Sequence, residues 1–133
     1  MYYAAPFNQF FKPELTITDH QTEILIKIER HHYHAGGNVH GSIYFKMLDD
    51  ASFFAAQSME YDVFLVTTSF TTYLTRPVST GVLKSIGQVV NYNRSQFITE
   101  SILYNSDDKE IGRGNGIFVR SKMALDHALG YTS

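Results

Sequence analysis

Two carboxylates stand side by side in an otherwise apolar stretch, Asp49 and Asp50 within H-G-S-I-Y-F-K-M-L-D-D-A-S-F-F-A-A-Q-S-M, residues 40–59. On a helix turning about 100° per residue, Ile43, Tyr44, Met47, Leu48, Ala51, Phe54, Ala55 and Met59 share one broad arc, which should pack on a sheet. Asp50 falls on the far side near Gln57 and Lys46, and a Lys and an Asp four apart form a weak surface pair. Asp49 lies on a different flank, among Phe45, Phe53 and Ala56. A second apolar flank on a core helix points to a second buried contact, such as a subunit interface. A carboxyl placed there is partly desolvated. Its pKa rises, which suits it to act as a base or a nucleophile. The competing reading is a solvated Asp49 beside scattered exposed phenylalanines.

The start of the same helix offers a complementary group. Its first N–H groups lack intrahelical partners and carry the positive end of the dipole, so they can bind an anion or polarise a carbonyl oxygen. Gly41 would let a ligand approach that backbone; equally, it could serve close helix–sheet packing. The preceding loop, H-H-Y-H-A-G-G-N-V (31–39), holds His31, His32 and His34, with His40 following. This spacing matches no metal site with a mechanism behind it, so no metal is expected. Gly36 and Gly37 more naturally permit positive φ where the chain turns into the helix.

Other elements must hold these residues in place. Phe7, Phe10 and Phe11 have helical spacing, so residues 1–14 read as a short amphipathic helix ended near Pro13. Residues 23–30 alternate, with Ile24, Ile26 and Ile28 on one face, as in a half-buried strand. Beyond the long helix, residues 63–75, 82–92, 97–104 and 111–119 read as strands. Gly87 is a candidate bulge. Gly112, Gly114 and Gly116 share one face, where another element should lie close. Residues 121–133 read as a tail with at most a short helical turn. Short connections imply that the last four strands are antiparallel neighbours. The result is a single α+β domain over residues 1–133, one long central helix packed on a curved antiparallel sheet of about five strands. One helix covers only one face, so a homodimer is expected to protect the rest.

Composition sets further bounds. The 133 residues suffice for one domain with a real core, and 44% hydrophobic content indicates a folded chain. A formal charge of -2 without a basic block argues against a nucleic-acid partner. The absence of cysteine excludes disulfides, thiolate metal sites and a cysteine nucleophile. No apolar run approaches the roughly 18 residues of a membrane span and no signal peptide is evident, so no membrane partner and a cytoplasmic location are expected.

Over residues 21–120 the chain resembles hotdog-fold acyl-CoA thioesterases, nearest the phenylacetic-acid-degradation (PaaI-like) branch of the 4-hydroxybenzoyl-CoA thioesterase superfamily. The family signature is H-G-G with an acid nine residues after the His, usually in L-x-D-x-A. Here His40 and Gly41 match, Ser42 replaces the second Gly, Asp49 takes the acid position, and Ala51 follows. V-T-T-S-F-T-T-Y-L-T-R-P puts Thr67 at the hydroxyl position and Arg76-Pro77 at the strand end. The G-V-L, N-R and D-K-E-I-G-R-G-N-G-I-F-V segments follow in order.

The resemblance implies hydrolysis of an acyl- or aryl-CoA thioester, without cofactor or metal, at sites in the interface of a homodimer, itself expected to pair into a dimer of dimers. Gly41 N–H of one subunit would hold the thioester oxygen. Asp49 of the other would serve as base or nucleophile, oriented by Thr67 unless Thr67 is simply a strand former. Gly41 and Asp49 are eight residues apart, about two turns and roughly 12 Å along the helix, compatible with a site shared between chains. Relatives usually carry Asn six residues before the His; this chain has His34 there and Asn38 nearer, so either could contact the substrate. His40 reads mainly as a loop-fixing residue, with direct contact to the substrate as the alternative. Phe45, Phe53 and Tyr73 are candidates for the acyl pocket, and Arg76, Lys84, Arg94 and Arg113 for the CoA phosphates. A hotdog module that binds acyl-CoA without turnover is the alternative. A hydratase is a third reading, but its motifs are missing.

Overall fold

Alternating apolar residues and a single amphipathic helix account for most of the architecture. The computed structural model describes residues 1–18 and 20–128. It contains α1 (Pro6–Phe11), β1 (Glu14–Thr18), β2 (Gln21–Lys27), α2 (Gly41–Gln57), β3 (Val63–Leu74), β4 (Val82–Tyr92), β5 (Phe97–Tyr104) and β6 (Glu110–Ala124). Pro6 opens α1 at a position where its missing N–H is harmless, and Lys12, in the left-handed region at φ 50°, closes it before Pro13. The side chain of Phe10 and residues 129–133 of the expected tail lie outside the described residues.

Among the described residues six strands form one antiparallel sheet in the order β1-β2-β4-β5-β6-β3. The hotdog expectation of one helix on one curved sheet holds, with one strand more than anticipated. The addition is β1. Its Leu15 and Ile17 do alternate with polar residues, but the strand is short and largely exposed. It turns into β2 through His20, which adopts φ 66°. β6 also runs to Ala124, into the expected tail, and a 3₁₀ turn at Leu125–His127 follows.

A second correction concerns β3, which does not neighbour β4. It lies at the far edge and pairs with β6, from Val63 opposite Ala124 to Leu74 opposite Gly112. Short connections keep β4, β5 and β6 adjacent, whereas residues 75–81 between β3 and β4 are long enough to cross. Three strand spacings of about 4.8 Å total roughly 14 Å, well within the reach of seven extended residues.

The helix α2 lies across the inner face of the sheet. Met47, Leu48, Ala51 and Ala55 are completely or almost completely buried, as are Ile24, Ile26, Leu83, Leu103 and Ile111 from the strands. The Ser101 hydroxyl donates to the Leu48 carbonyl at 2.9 Å, tying β5 to the helix. Gly87 is not a bulge. It pairs regularly with Thr22 and Ser101, and the irregularity in β4 falls at 89–91. Its role is close approach, since a Cβ there would meet the Ala51 backbone at 2.4 Å. The glycine stripe of β6 fulfils the expectation of a close neighbour. The Phe70 ring from β3 lies over Gly114 and Gly116, where added Cβ atoms would come within 2.5 and 2.6 Å of it.

Candidate active site

The start of α2 is built by its loop. Tyr33 and Val39 form an isolated bridge, the His34 N–H donates to the Asn38 carbonyl at 2.9 Å, and Gly37 takes φ 85°. The exposed His34 ring accepts the Gly36 N–H at 2.8 Å through Nδ1. His40 is the helix N-cap. Its Nδ1 accepts the Ser42 N–H at 3.0 Å and lies 2.8 Å from the Ser42 hydroxyl. Gly41 is the first helical residue, so its N–H has no intrahelical acceptor. It lines a cleft of about 360 Å³ together with His34, Asn38, Tyr44, Leu74 and Arg76.

Asp49 lies further along α2, on the flank facing β3. The Thr67 hydroxyl donates to Asp49 Oδ1 at 3.0 Å. Burial pushes the Asp49 carboxyl up from 3.8 to about 6; the Thr67 hydrogen bond opposes the rise, neighbouring Asp50 adds to it, and Lys46 opposes it. The carboxylate opens on a cleft of about 330 Å³ whose walls include Phe53, Phe64 and Val66. Phe53 packs edge-on against Phe54 at 4.8 Å and lies 5.4 Å from Phe64, ring centre to ring centre. A carboxyl raised to about 6 beside a hydroxyl in an apolar cleft is one that can take up or release a proton at mildly acidic pH.

Asp50 occupies a different environment, which corrects the expectation of a surface pair. Lys46 Nζ meets Asp50 Oδ2 at 2.7 Å, with the two side chains only 11% and 17% exposed. The N-terminal segment covers them. The Tyr2 hydroxyl donates to Asp50 Oδ2 at 2.9 Å, and Lys46 also donates to Asn8 Oδ1. The ammonium lies 5.8, 4.7 and 5.3 Å from the ring centres of Tyr2, Phe7 and Phe11. Sequence reasoning missed Tyr2, because a contact spanning 48 positions leaves no local pattern.

Within one protomer Gly41 and Asp49 line separate clefts. Thr67 and Phe53 join Asp49, while His34, Asn38 and Arg76 join Gly41; His40 caps the helix next to Gly41 and lines neither cleft. Phe45 instead packs 5.4 Å from Phe70, and Tyr73 is 54% exposed on β3, so neither lines the Asp49 cleft. Among the cation candidates, Lys84 pairs with Asp108 at 3.0 Å and Arg113 with Glu110 at 2.6 Å. Arg94 is exposed in the 93–96 turn. Among the described residues no group of three His, Cys, Asp or Glu is placed to hold a metal, and no helix is long and apolar enough to cross a membrane.

The model of the thioesterase superfamily matches residues 36–111, from the glycine loop to the start of β6, and so spans Gly41, Asp49 and Thr67. The chain belongs to this superfamily. Its fold is that of the PaaI protein from the phenylacetic acid degradation operon of E. coli, with a TM-score of 0.85 at 17% identity, covering 93% of this chain and 90% of that one. A conserved Pseudomonas aeruginosa protein superposes with a TM-score of 0.82 at 21% identity, over 88% and 94% of the two chains. A phenylacetic-acid-degradation-related protein from Ralstonia eutropha gives 0.79 at 16% identity, over 86% and 89%. No curated protein matches the sequence of this thioesterase-superfamily chain.

Proposed function

We propose that the protein hydrolyses an acyl- or aryl-CoA thioester to the free acid and CoA, at two equivalent sites shared between the protomers of a homodimer. The observation that carries this reading is the Asp49–Thr67 pair, a carboxyl titrating near 6 in an apolar cleft within a thioesterase-superfamily fold. Supporting the shared site, Gly41 and Asp49 open on different clefts of one chain. Strand β3 also ends the sheet with Val66, Tyr73 and Leu74 exposed by 39%, 54% and 54%, and Phe45 of α2 is 43% exposed. An apolar strand edge of this kind is a liability unless a second copy covers it.

In the mechanism the thioester oxygen rests on Gly41 N–H at the positive end of α2. Asp49 of the partner subunit takes a proton from water as the water oxygen bonds to the carbonyl carbon. The oxyanion remains on Gly41 N–H until it collapses, the C–S bond breaks, and the leaving thiolate collects the proton from Asp49. Direct attack by Asp49, with an anhydride then hydrolysed by water, uses the same groups. The Thr67 hydroxyl orients the carboxylate in either route, and Arg76, which lines the Gly41 cleft, is a candidate cation for a CoA phosphate.

The test is free-thiol release from short, long and aryl acyl-CoAs by wild type and Asp49→Asn. The expected result is turnover by wild type and a loss of about a hundredfold or more in the variant. Wild type that binds these esters without releasing thiol would overturn the enzyme in favour of a binding module. One observation favours that second reading: the His34 ring, where relatives usually carry Asn, is committed to Gly36 N–H.

A further inference from the structure

The Asp49 cleft has a neighbour. A second cleft of about 350 Å³ lies behind it, and Met1, Tyr2 and Phe54 line both. The first is walled by aromatic side chains of α2 and β3 together with Ala5. The second is walled by Leu15 and Ile17 of β1, Tyr61 and Leu125. The side chains of its Gln57, Ser58 and Glu60 are already satisfied. Gln57 binds the carbonyls of Glu60 and Val63 and the N–H of Leu65, the Ser58 hydroxyl donates to Ala55, and Glu60 pairs with Arg120. An alkyl group entering it would leave no hydrogen bond broken.

The shared wall is held rigidly. The Tyr2 ring meets Phe54 edge-on at 4.7 Å, its hydroxyl donates to Asp50, and its carbonyl accepts from Asn8 Nδ2 at 2.8 Å. Tyr2 itself is 5% exposed. Asp50 and Lys46 thus anchor the N-terminal segment against α2, one residue away from Asp49.

We propose that Tyr2, backed by Phe54, is the partition that sets how long an acyl chain the site accepts, and that the second cleft, which opens to solvent, is an extension of the acyl pocket on the far side of that partition. This rests on the thioesterase reading of the Asp49 cleft. The occupant is the hydrocarbon tail of the acyl group, because the first cleft begins at the Asp49–Thr67 pair and both clefts have apolar walls. Tyr2 and Asp50 are positioning and specificity residues here, not catalytic ones.

The test measures binding of a series of non-hydrolysable straight-chain acyl-CoA thioethers, beside thiol release from the matching thioesters. In wild type each added methylene should tighten binding roughly fourfold until the chain meets Tyr2, and further methylenes should gain nothing. Tyr2→Ala should let the gain continue for several more carbons. Tyr2→Phe, which keeps the ring and loses only the Asp50 bond, should retain the wild-type limit. Ala5→Leu, which narrows the first cleft, should bring the limit earlier, and Tyr2→Leu, a smaller cut into the same wall, should extend it by fewer carbons and decides the matter should Tyr2→Ala fail to fold. A wild-type chain-length limit in both Tyr2→Ala and Tyr2→Leu would overturn the proposal, whatever Ala5→Leu does. Limits that move while no variant releases thiol would uphold the partition and refute hydrolysis. Thiol release with unmoved limits would do the reverse. A protein that binds none of the analogues refutes both.

Discussion

Replacing Asp49 with Asn should make the fold more stable at neutral pH while it removes activity. The reason is the environment of the carboxyl. Burial raises it from 3.8 to about 6, so the unfolded chain releases the proton more readily than the folded one. A group raised in this way contributes its full stability below about pH 4 and loses it as pH climbs through 6. At pH 7.5 the linkage penalty approaches 3 kcal/mol for a fully desolvated group, at about 1.4 kcal/mol per pH unit. Asp49 keeps some contact with solvent, which lowers the expected penalty to about 1–2 kcal/mol. Asn carries no such charge and can still accept from Thr67 at the same oxygen, so the variant escapes the penalty. For a chain of this size that gain corresponds to a Tm higher by roughly 3–8 °C. The assay is thermal or urea unfolding of both proteins between pH 3.5 and 8 at one fixed protein concentration, since subunit association also stabilises. The stability difference should be near zero at the acid end and grow through pH 4–6. An Asn variant that is less stable at pH 7.5, or a difference that does not change with pH, would refute the desolvated-carboxyl argument.

Two further outcomes follow from the same geometry. Thr67→Val removes the hydrogen bond that holds Asp49 down; the acid limb of kcat/KM should move up from near 6 by about one pH unit, and an unmoved limb would show that Thr67 does not touch the titrating group. Gly41→Pro should delete the oxyanion donor and leave α2 intact, because Gly41 is the first helical residue and His40, at φ -63° and ψ 142°, is already extended as a residue before proline must be. Mixed with Asp49→Ala protomers it should recover activity at one intact site per heterodimer. No recovery after demonstrated subunit exchange would count against a site shared between chains.

Local pattern carried much of this protein. The 3.6-residue period of 40–59 specified α2 and the flank on which Asp49 lies, because which residues share a helix face depends only on their spacing. Alternation specified β2, and H-G with an acid nine residues on pointed to Gly41 and Asp49 within a hotdog thioesterase. Gly114 and Gly116 announced a close neighbour without naming it. What the sequence could not order were partners distant in the chain. The pairing of β3 with β6 instead of β4 arises because residues 75–81 are long enough to cross the sheet, and length alone does not say that they do. The short strand β1 takes its place from pairing with β2 more than from burying a face. Asp49 and Asp50 are adjacent and alike in sequence. Only the tertiary fold, setting β3 over one and Tyr2 with Lys46 over the other, makes the first a perturbed acid in a cleft and the second an anchor. Burial and charge depend on every element packed around a group, and that information exists only once the chain has closed on itself.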